Sequence, residues 1–365
     1  MPFSQHFITA FSLFTLFSSC RGQTPQPTAT SASPMQTTIP GDTVTELGNE
    51  IDGIFHDSKN NYWFATNGNG VYYYNGRTLL HITDKHGLCS NFVLGVQEDV
   101  HGKIWFSTRD GICRLDIASF YNFINTSSFT NFTDTIKQAK YGKLNYVKGG
   151  LFFNHLQGIC FYDGKTFTNF TIYPETYTPP AYNYYRPYAV YSIMADSAGQ
   201  IWVGTQEKGV CRYDGNTITY ITGHDLEGPA VRSLFQDKAG NYWFGNNGGG
   251  LYHYNGSVLR NITEEKKLGN DAFLREKMPV DKPESIARVF AINQDRDGTI
   301  WIGTPDAGVW KYDGENLTQY TMADGLSGMS VTVIYKDRNG ELWFVANGEQ
   351  VCKFDGKRFN RVVLR

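Results

Sequence analysis

A surplus of charge of either sign is missing from this chain. Its 33 Lys and Arg nearly balance 35 Asp and Glu, leaving a formal charge of −2. With no long-range pull on polyanions, nucleic acid is excluded as the expected partner. Long apolar runs are also missing. The run FITAFSLFTLF at residues 7–17 is too short for a permanent membrane span, and no later segment is apolar enough to cross as a helix. Stretches rich in Ala, Leu and Glu are scarce, which argues against a helical fold. No Ser nucleophile elbow, zinc motif or phosphate loop is visible, and the eight His are scattered. These absences point away from an enzyme and predict neither cofactor nor resident metal.

Aromatics (15%) and Gly (38 residues) are abundant, a combination that favours short strands joined by tight turns. Asp, then Gly or Asn three residues on, then Trp three further, occurs six times, starting at Asp57, Asp99, Asp196, Asp237, Asp295 and Asp337. The Trp positions are 63, 105, 202, 243, 301 and 343. A second block follows them: GVYYYNG from Gly70, GICRLD from Gly111, GVCRYDG from Gly209, GLYHYNG from Gly250, GVWKYDG from Gly308 and QVCKFDG from Gln350. A seventh copy, GICFYDG from Gly158, has no Trp ahead of it; Leu151 or Phe153 stands in that place. Trp63 to Trp105, Trp202 to Trp243 and Trp301 to Trp343 are 42, 41 and 42 residues apart. A period of this length built from short strands is that of a β-propeller blade. The chain therefore predicts an all-β, seven-bladed propeller of about four antiparallel strands per blade.

In the fifth repeat, VRSLFQ reads as strand A, DKAG as a tight turn, NYWFGN as strand B, LYHY as strand C and SVLRNIT as strand D. Asn255-Gly256 reads as a type I′ turn with positive φ at both residues. Strands B and C are apolar at consecutive positions, so both sheet faces are covered by neighbouring blades. The six Trp are then interblade wedges, each worth about 3–5 kcal/mol, and each Asp is expected to accept N–H bonds from its own turn. Asp295 and Asp297 lack the later ligands of a calcium loop. Cys113, Cys160, Cys211 and Cys352 share one position of strand C, too far apart from blade to blade for a disulfide, and read as buried filler. Cys89 is left in a link.

Residues 1–19 read as a signal peptide. Ser18 and Ser19 before Cys20 resemble the lipobox of bacterial lipoproteins, which implies lipidation at Cys20; a plain secretory leader is the alternative. Residues 20–46, rich in Ser, Thr, Pro and Gln, read as a disordered tether ahead of a propeller at 47–365, with a further strand at 42–47 left open. The expected location is the bacterial cell envelope, lipid-anchored and facing periplasm or surface.

The repeats resemble the two-component-regulator propeller repeat, D-x-x-G-x-[IL]-W-[FIV]-G-T followed by G-[LV]-x-x-Y-[DN]-G and often D-G-L. Residues 298–314, GTIWIGTPDAGVWKYDG, are a close copy, and DGL stands at 324–326. That resemblance implies the periplasmic sensor half of a signalling protein, sometimes one that detects carbohydrate fragments. The chain stops after its last strand, so the expectation is a free-standing sensor or binding lipoprotein acting through an envelope signalling or uptake partner. A protein-interaction scaffold is one alternative. A lyase or hydrolase similar to the propeller-fold streptogramin lyases is the other.

A ligand is expected on the face shared by the D–A links and B–C loops, because its residues vary around a fixed frame. Four positions after each Trp stand Asn67, Arg109, Gln206, Asn247 and Asn347, with Asp306 beside Pro305 and His155 as the equivalent of the third repeat. Two insertions, at 172–188 and 264–285, are D–A links on the same face. The first carries six Tyr, among them Tyr182, Tyr184 and Tyr185 around Arg186, suited to stacking on a sugar or aromatic ligand. The second is charged, with a short helix expected around 271–277.

Overall fold

Each D-x-x-G turn is closed by its own aspartate. In the first repeat Asp57 Oδ1 accepts the N–H groups of Lys59 and Asn61, at 2.9 and 2.8 Å, and Oδ2 accepts the Trp63 indole N–H at 2.9 Å. The same indole-to-carboxylate bond recurs from Trp105, Trp202, Trp243, Trp301 and Trp343, at 2.8 to 2.9 Å. Sequence reading gave the aspartate its turn; the second oxygen explains the fixed spacing to Trp. The fourth turn residue takes the left-handed conformation, at φ 68° for Asn60 and 92° for Gly298.

The structure is a computed structural model that describes residues 39–119, 125–137, 140–141, 146–155, 158–174, 176–178, 186–270 and 284–364. The described residues form seven antiparallel sheets. Blade 5 is typical: Val231–Gln236, Tyr242–Asn246, Gly250–Tyr254 and Leu259–Asn261 pair in order as strands A to D. Seven apolar cores, one per interface, close the ring. Trp63 packs in the core of blades 1 and 2, Trp105 in that of blades 2 and 3, and Trp343 in that joining blade 7 back to blade 1. The seven-bladed expectation therefore holds.

Blade 3 departs from the pattern. Phe152 pairs with Phe161 as Trp202 pairs with Arg212, so Phe152, and neither Leu151 nor Phe153, stands at the Trp register. Lys140–Tyr141 runs parallel to the blade's outer strand Phe167–Phe170. At the start of the ring, Asp42–Val44 pairs antiparallel with Leu79–Ile82 as a fifth, outermost strand of blade 1. Ordered structure thus begins ahead of residue 47. Among the described residues no strand is exchanged between blades 1 and 7, which meet through side chains and loops.

The C–D turns also differ from expectation. Tyr254 pairs with Leu259, leaving a four-residue loop in which Gly256 has φ 95° and Asn255 is not left-handed. A type I′ turn is excluded. Asn255 Oδ1 instead accepts the N–H groups of Ser257 and Val258, at 3.0 and 2.8 Å, an Asx turn. The short helix Ile262–Glu265 follows strand D. The helix expected at 271–277 lies outside the described residues. Cys113, Cys160, Cys211 and Cys352 are buried free thiols, as expected.

Candidate site at the mouth of the channel

The B–C loops are first of all built to hold their shape. Thr66, Thr108, Thr205 and Thr304 close them by donating Oγ1–H to the carbonyls of Gly70, Gly111, Gly209 and Gly308. The residue after the first three Thr is then tied to the start of strand A, Asn67 N–H to the Glu50 carbonyl at 2.8 Å, Arg109 to Phe92 and Gln206 to Ala189. Asn347, which follows Ala346, is tied likewise to Ser330, whereas in blade 6 the Thr304 carbonyl accepts Val331 N–H.

The side chains chosen from sequence divide by what they touch. Gln206 Nε2 donates to the Pro229 carbonyl at 2.7 Å, and the Arg109 guanidinium lies 3.8 Å from the Phe92 ring centroid. Asn347 Oδ1 accepts from Ser330 N–H at 3.3 Å. These three clamp neighbouring links. Asn247 and Asp306 are brought together by a residue that sequence reading missed. Arg288 donates Nε–H to Asn247 Oδ1 at 3.0 Å and Nη1–H to Asp306 Oδ2 at 2.9 Å. His155 ends strand B of blade 3, paired with Gly158. Arg186 is half-buried, and its carbonyl accepts Ala189 N–H. Tyr182, Tyr184, Tyr185 and Cys20 lie outside the described residues. Tyr173, Tyr177 and Tyr188 of the same insertion pack on each other, 4.7 to 5.9 Å between centroids, and Tyr188 meets Tyr220 of blade 4.

A second ring of variable residues sits deeper. Strand A of five blades shifts register one residue after its first apolar side chain, between Ile51 and Gly53, Val93 and Gly95, Val190 and Ser192, Val231 and Ser233, and Val331 and Val333. A bulge leaves one residue unpaired and re-aims its side chain. Those residues are Asp52, Leu94, Tyr191, Arg232 and Thr332, and Phe290 holds the same place just ahead of Ala291–Gln294 in blade 6. The Arg232 guanidinium lies 4.4 Å from the Tyr191 ring centroid and 4.9 Å from that of Phe290. These three residues come from the innermost strands of three consecutive blades, so their contact lies at the ring's axis.

The mouth is electrically lopsided. Arg232 is half-buried, its Nε has no hydrogen-bond partner, and no carboxylate among the described residues pairs with it. Burial lowers its pKa, Tyr191 opposes that, and the nearby Arg288 charge adds to it. Arg288 itself lies 5.5 Å from the Phe290 centroid. Asp52 stands across the ring on blade 1, its carboxyl raised by burial and by the adjacent Glu50 charge. The motif could have revealed these positions. Strand A opens with Ile or Val in six blades, and the next residue is Asp, Leu, Tyr, Arg, Phe or Thr.

On the opposite face a cleft of about 210 Å³ opens between blades 5 and 6, lined by Trp243, His253, Arg260, Gln294 and Tyr312. In four other blades the residue opposite Trp is a cation covering the indole, Arg114, Arg212, Lys311 and Lys353 at 5.2, 5.9, 5.6 and 4.1 Å, and in blade 1 it is Tyr73. His253 is shorter and leaves the space open. Its Nδ1 is buried without a partner, and burial lowers its pKa. Among the described residues no three His, Cys, Asp or Glu side chains converge as metal ligands.

Comparison with known proteins agrees with this architecture. The family model of the two component regulator propeller matches residues 185–207, 225–248, 284–306 and 325–348. Each segment runs from a D–A link through strands A and B of blades 4 to 7. Among solved structures, the extracellular domain of the hybrid two-component system BT4673 from B. thetaiotaomicron superposes with a TM-score of 0.57 at 17% identity. The match covers 86% of this chain and 39% of that one, so this chain spans about two fifths of it. A virginiamycin B lyase from Staphylococcus aureus, solved with quinupristin, gives 0.56 at 14% identity, covering 85% and 96%. A streptogramin B lyase gives 0.58 at 13%, covering 84% and 94%. At such identities the likeness is one of fold. No curated protein matches in sequence. The four matched segments coincide with the D-x-x-G-x-x-W units of blades 4 to 7, so over those repeats this chain is similar to the two component regulator propeller.

Proposed function

We propose that this chain is an exported, non-enzymatic propeller of sensor type that binds a small ligand at the channel mouth. The carrying observation is the Arg232 guanidinium between Tyr191 and Phe290, polar and aromatic groups meeting without a structural partner for the charge. Ligand sites commonly combine such apolar walls with a few polar anchors. The polar rim from Asn67 to Asn347 surrounds the mouth, and in sequence residues 172–188 form the D–A link before Tyr191. The repeats matched by the two component regulator propeller model support the sensor role, with output through an envelope signalling or uptake protein. Lipidation of Cys20 would hold the propeller at a membrane surface, and among the described residues no helix is long and apolar enough to cross one. The fold is shared with lyases, and no residue observed at the mouth favours that chemistry over binding.

A ligand that binds the folded state raises the melting temperature. A thermal-shift screen with mono- and disaccharides and small carboxylates is expected to yield at least one stabilising compound. Tyr191→Ala is expected to abolish its shift while leaving the fold intact by circular dichroism. A shift that survives Tyr191→Ala places the ligand elsewhere and overturns the proposal. Replacing Tyr184, Tyr185 and Arg186 together by Ala asks whether the insertion contributes.

A further inference from the structure

We infer that the ligand carries an anionic group, a carboxylate or a sulfate ester, received by Arg232 with Arg288 beside it, on a body whose flat apolar face rests on Tyr191 and Phe290. The inference rests on the channel-mouth reading above and narrows it to a chemical class.

The argument begins with the uses that arginine has elsewhere in this chain. Arg114 is locked to Asp116 at 2.8 Å, Arg260 to Glu265, and Arg288 to Asp306. Arg296 reaches the Asn339 carbonyl across blades 6 and 7. Each of these guanidiniums has an evident structural employment. Arg212, whose Nε is likewise without a hydrogen-bond partner, covers Trp202 at the blade interface. Arg232 is held only by the Tyr191 and Phe290 rings: among the described residues it makes neither a hydrogen bond nor an ion pair, although it is half-buried and its Nε is shut from solvent. Holding a charge there costs desolvation that rings above and below return only in part. The same bulge carries Leu94 and Thr332 in other blades, so the backbone does not require an arginine.

The surroundings select the partner. Two guanidiniums share the Phe290 ring, with centroid distances of 4.9 and 5.5 Å, so their fields add where a ligand would enter. A fork of N–H donors matches the geometry of a carboxylate or sulfate and favours it over a single hydroxyl. Asp306 already takes one Arg288 nitrogen, which leaves Arg232 as the principal anchor. Tyr191, 39% exposed, offers an accessible aromatic wall beside it. Asp52 and Glu50 across the ring would repel a second anionic group, so the class is one with its charge at one end. Because the chain's net charge is only −2, attraction is local, and a half-buried pair of this kind is less screened by salt than a surface one.

Matched probes test this on the full-length chain: glucuronate against glucose, galacturonate against galactose, and phenylacetate against 2-phenylethanol, with inorganic sulfate as the bare anion. Affinities are read by calorimetry and thermal shift for wild type, Arg232→Gln, Arg232→Lys and Tyr191→Ala, each checked for folding by circular dichroism. The expected result is that the charged member of at least one pair binds roughly tenfold or more tighter than its neutral twin. Arg232→Gln should erase that preference and Arg232→Lys should keep part of it. The sugar and aryl arms tell an acidic saccharide from an aromatic acid. Equal binding of charged and neutral twins, a preference that survives Arg232→Gln, or no binding by any charged probe at millimolar concentration overturns the inference. A neutral probe lost in Tyr191→Ala but kept in Arg232→Gln would overturn the anion and leave the mouth standing. A probe indifferent to both variants would overturn the mouth as well.

Discussion

Ring closure without a shared strand puts unusual weight on one aspartate. Asp337, 5% exposed, accepts the N–H groups of Asn339 and Glu341 on Oδ1, both at 2.9 Å. Its Oδ2 accepts the Trp343 indole and the Tyr62 hydroxyl, also at 2.9 Å, and Tyr62 comes from blade 1. In Asp337→Asn the amide oxygen keeps the backbone pair and the NH2 group turns to Trp343 and Tyr62. A tyrosine hydroxyl can rotate to accept, but an indole N–H only donates and would be orphaned. An unsatisfied buried donor costs about 1–3 kcal/mol, and charge-assisted bonds weaken as well. The expected loss is about 3 kcal/mol, or about 4 °C in Tm for a chain of this size, measured by urea unfolding followed through Trp fluorescence. Asp295 serves as the control, because Leu342 of blade 7 holds the place that Tyr62 holds in blade 1, and no tyrosine among the described residues crosses to Asp295. Asp295→Asn should cost less by about 1 kcal/mol. The sign with pH follows from hydrogen bonds that hold the Asp337 carboxyl low although burial alone would raise it. Its contribution is complete above the unfolded value of about 3.9 and fades as pH falls through the lower folded value. The gap between wild type and Asp337→Asn should therefore be flat from pH 7 to 5 and shrink below about 4. A loss under about 1 kcal/mol, or equal losses at Asp337 and Asp295, would refute this account of how the ring is fastened.

Three further outcomes are expected. Arginine in place of His253 should refill the cleft and cover Trp243 as Arg212 covers Trp202, raising stability by about 0.5–1 kcal/mol. The gain should widen as pH drops through about 6.5, because the unfolded imidazole takes a proton that the folded one, its pKa lowered by burial, resists. Among the propeller's cysteines, Cys89 should react first with a thiol reagent on the native protein: its pKa is lowered by the contact with Cys113, whereas burial pushes Cys160, Cys211 and Cys352 up to about 12. Gly308→Ala should destabilise by about 1–3 kcal/mol, since its φ is 70° and a Cβ would sit 2.3 Å from the Tyr320 carbonyl oxygen, whereas Gly215→Ala, with open space around it, should cost less in the same denaturation series.

The ring was legible because its determinants are local and repeated. An indole donating to a carboxylate six residues back is a bond within one turn, so it leaves a fixed spacing that recurs at Asp57 and five times more. Where a blade lacked that bond, register was lost to inspection. LFFNH admits three frames, and only the pairing of Phe152 with Phe161 selects one. The Asx turn at Asn255 was hidden for a related reason: a side-chain oxygen took the place of a second left-handed residue, and composition does not distinguish the two.

The site was less legible because sequence periodicity presumes an unbroken pleat. Alternation assigns every other strand residue to one blade interface, and under that rule Arg232 would be one more interior side chain. A bulge inserts one residue, suspends the alternation for a single position, and releases that side chain from both interfaces. The rim residues had been chosen because they varied beside a fixed Trp, yet Gln206, Arg109 and Asn347 spend their side chains on neighbouring links. Variation alone therefore does not separate a ligand contact from a local clamp. We propose that a polar group near the axis without a hydrogen-bond or ion-pair partner separates them better, and among the described residues Arg232, one residue beyond the apolar side chain that opens strand A, is such a group.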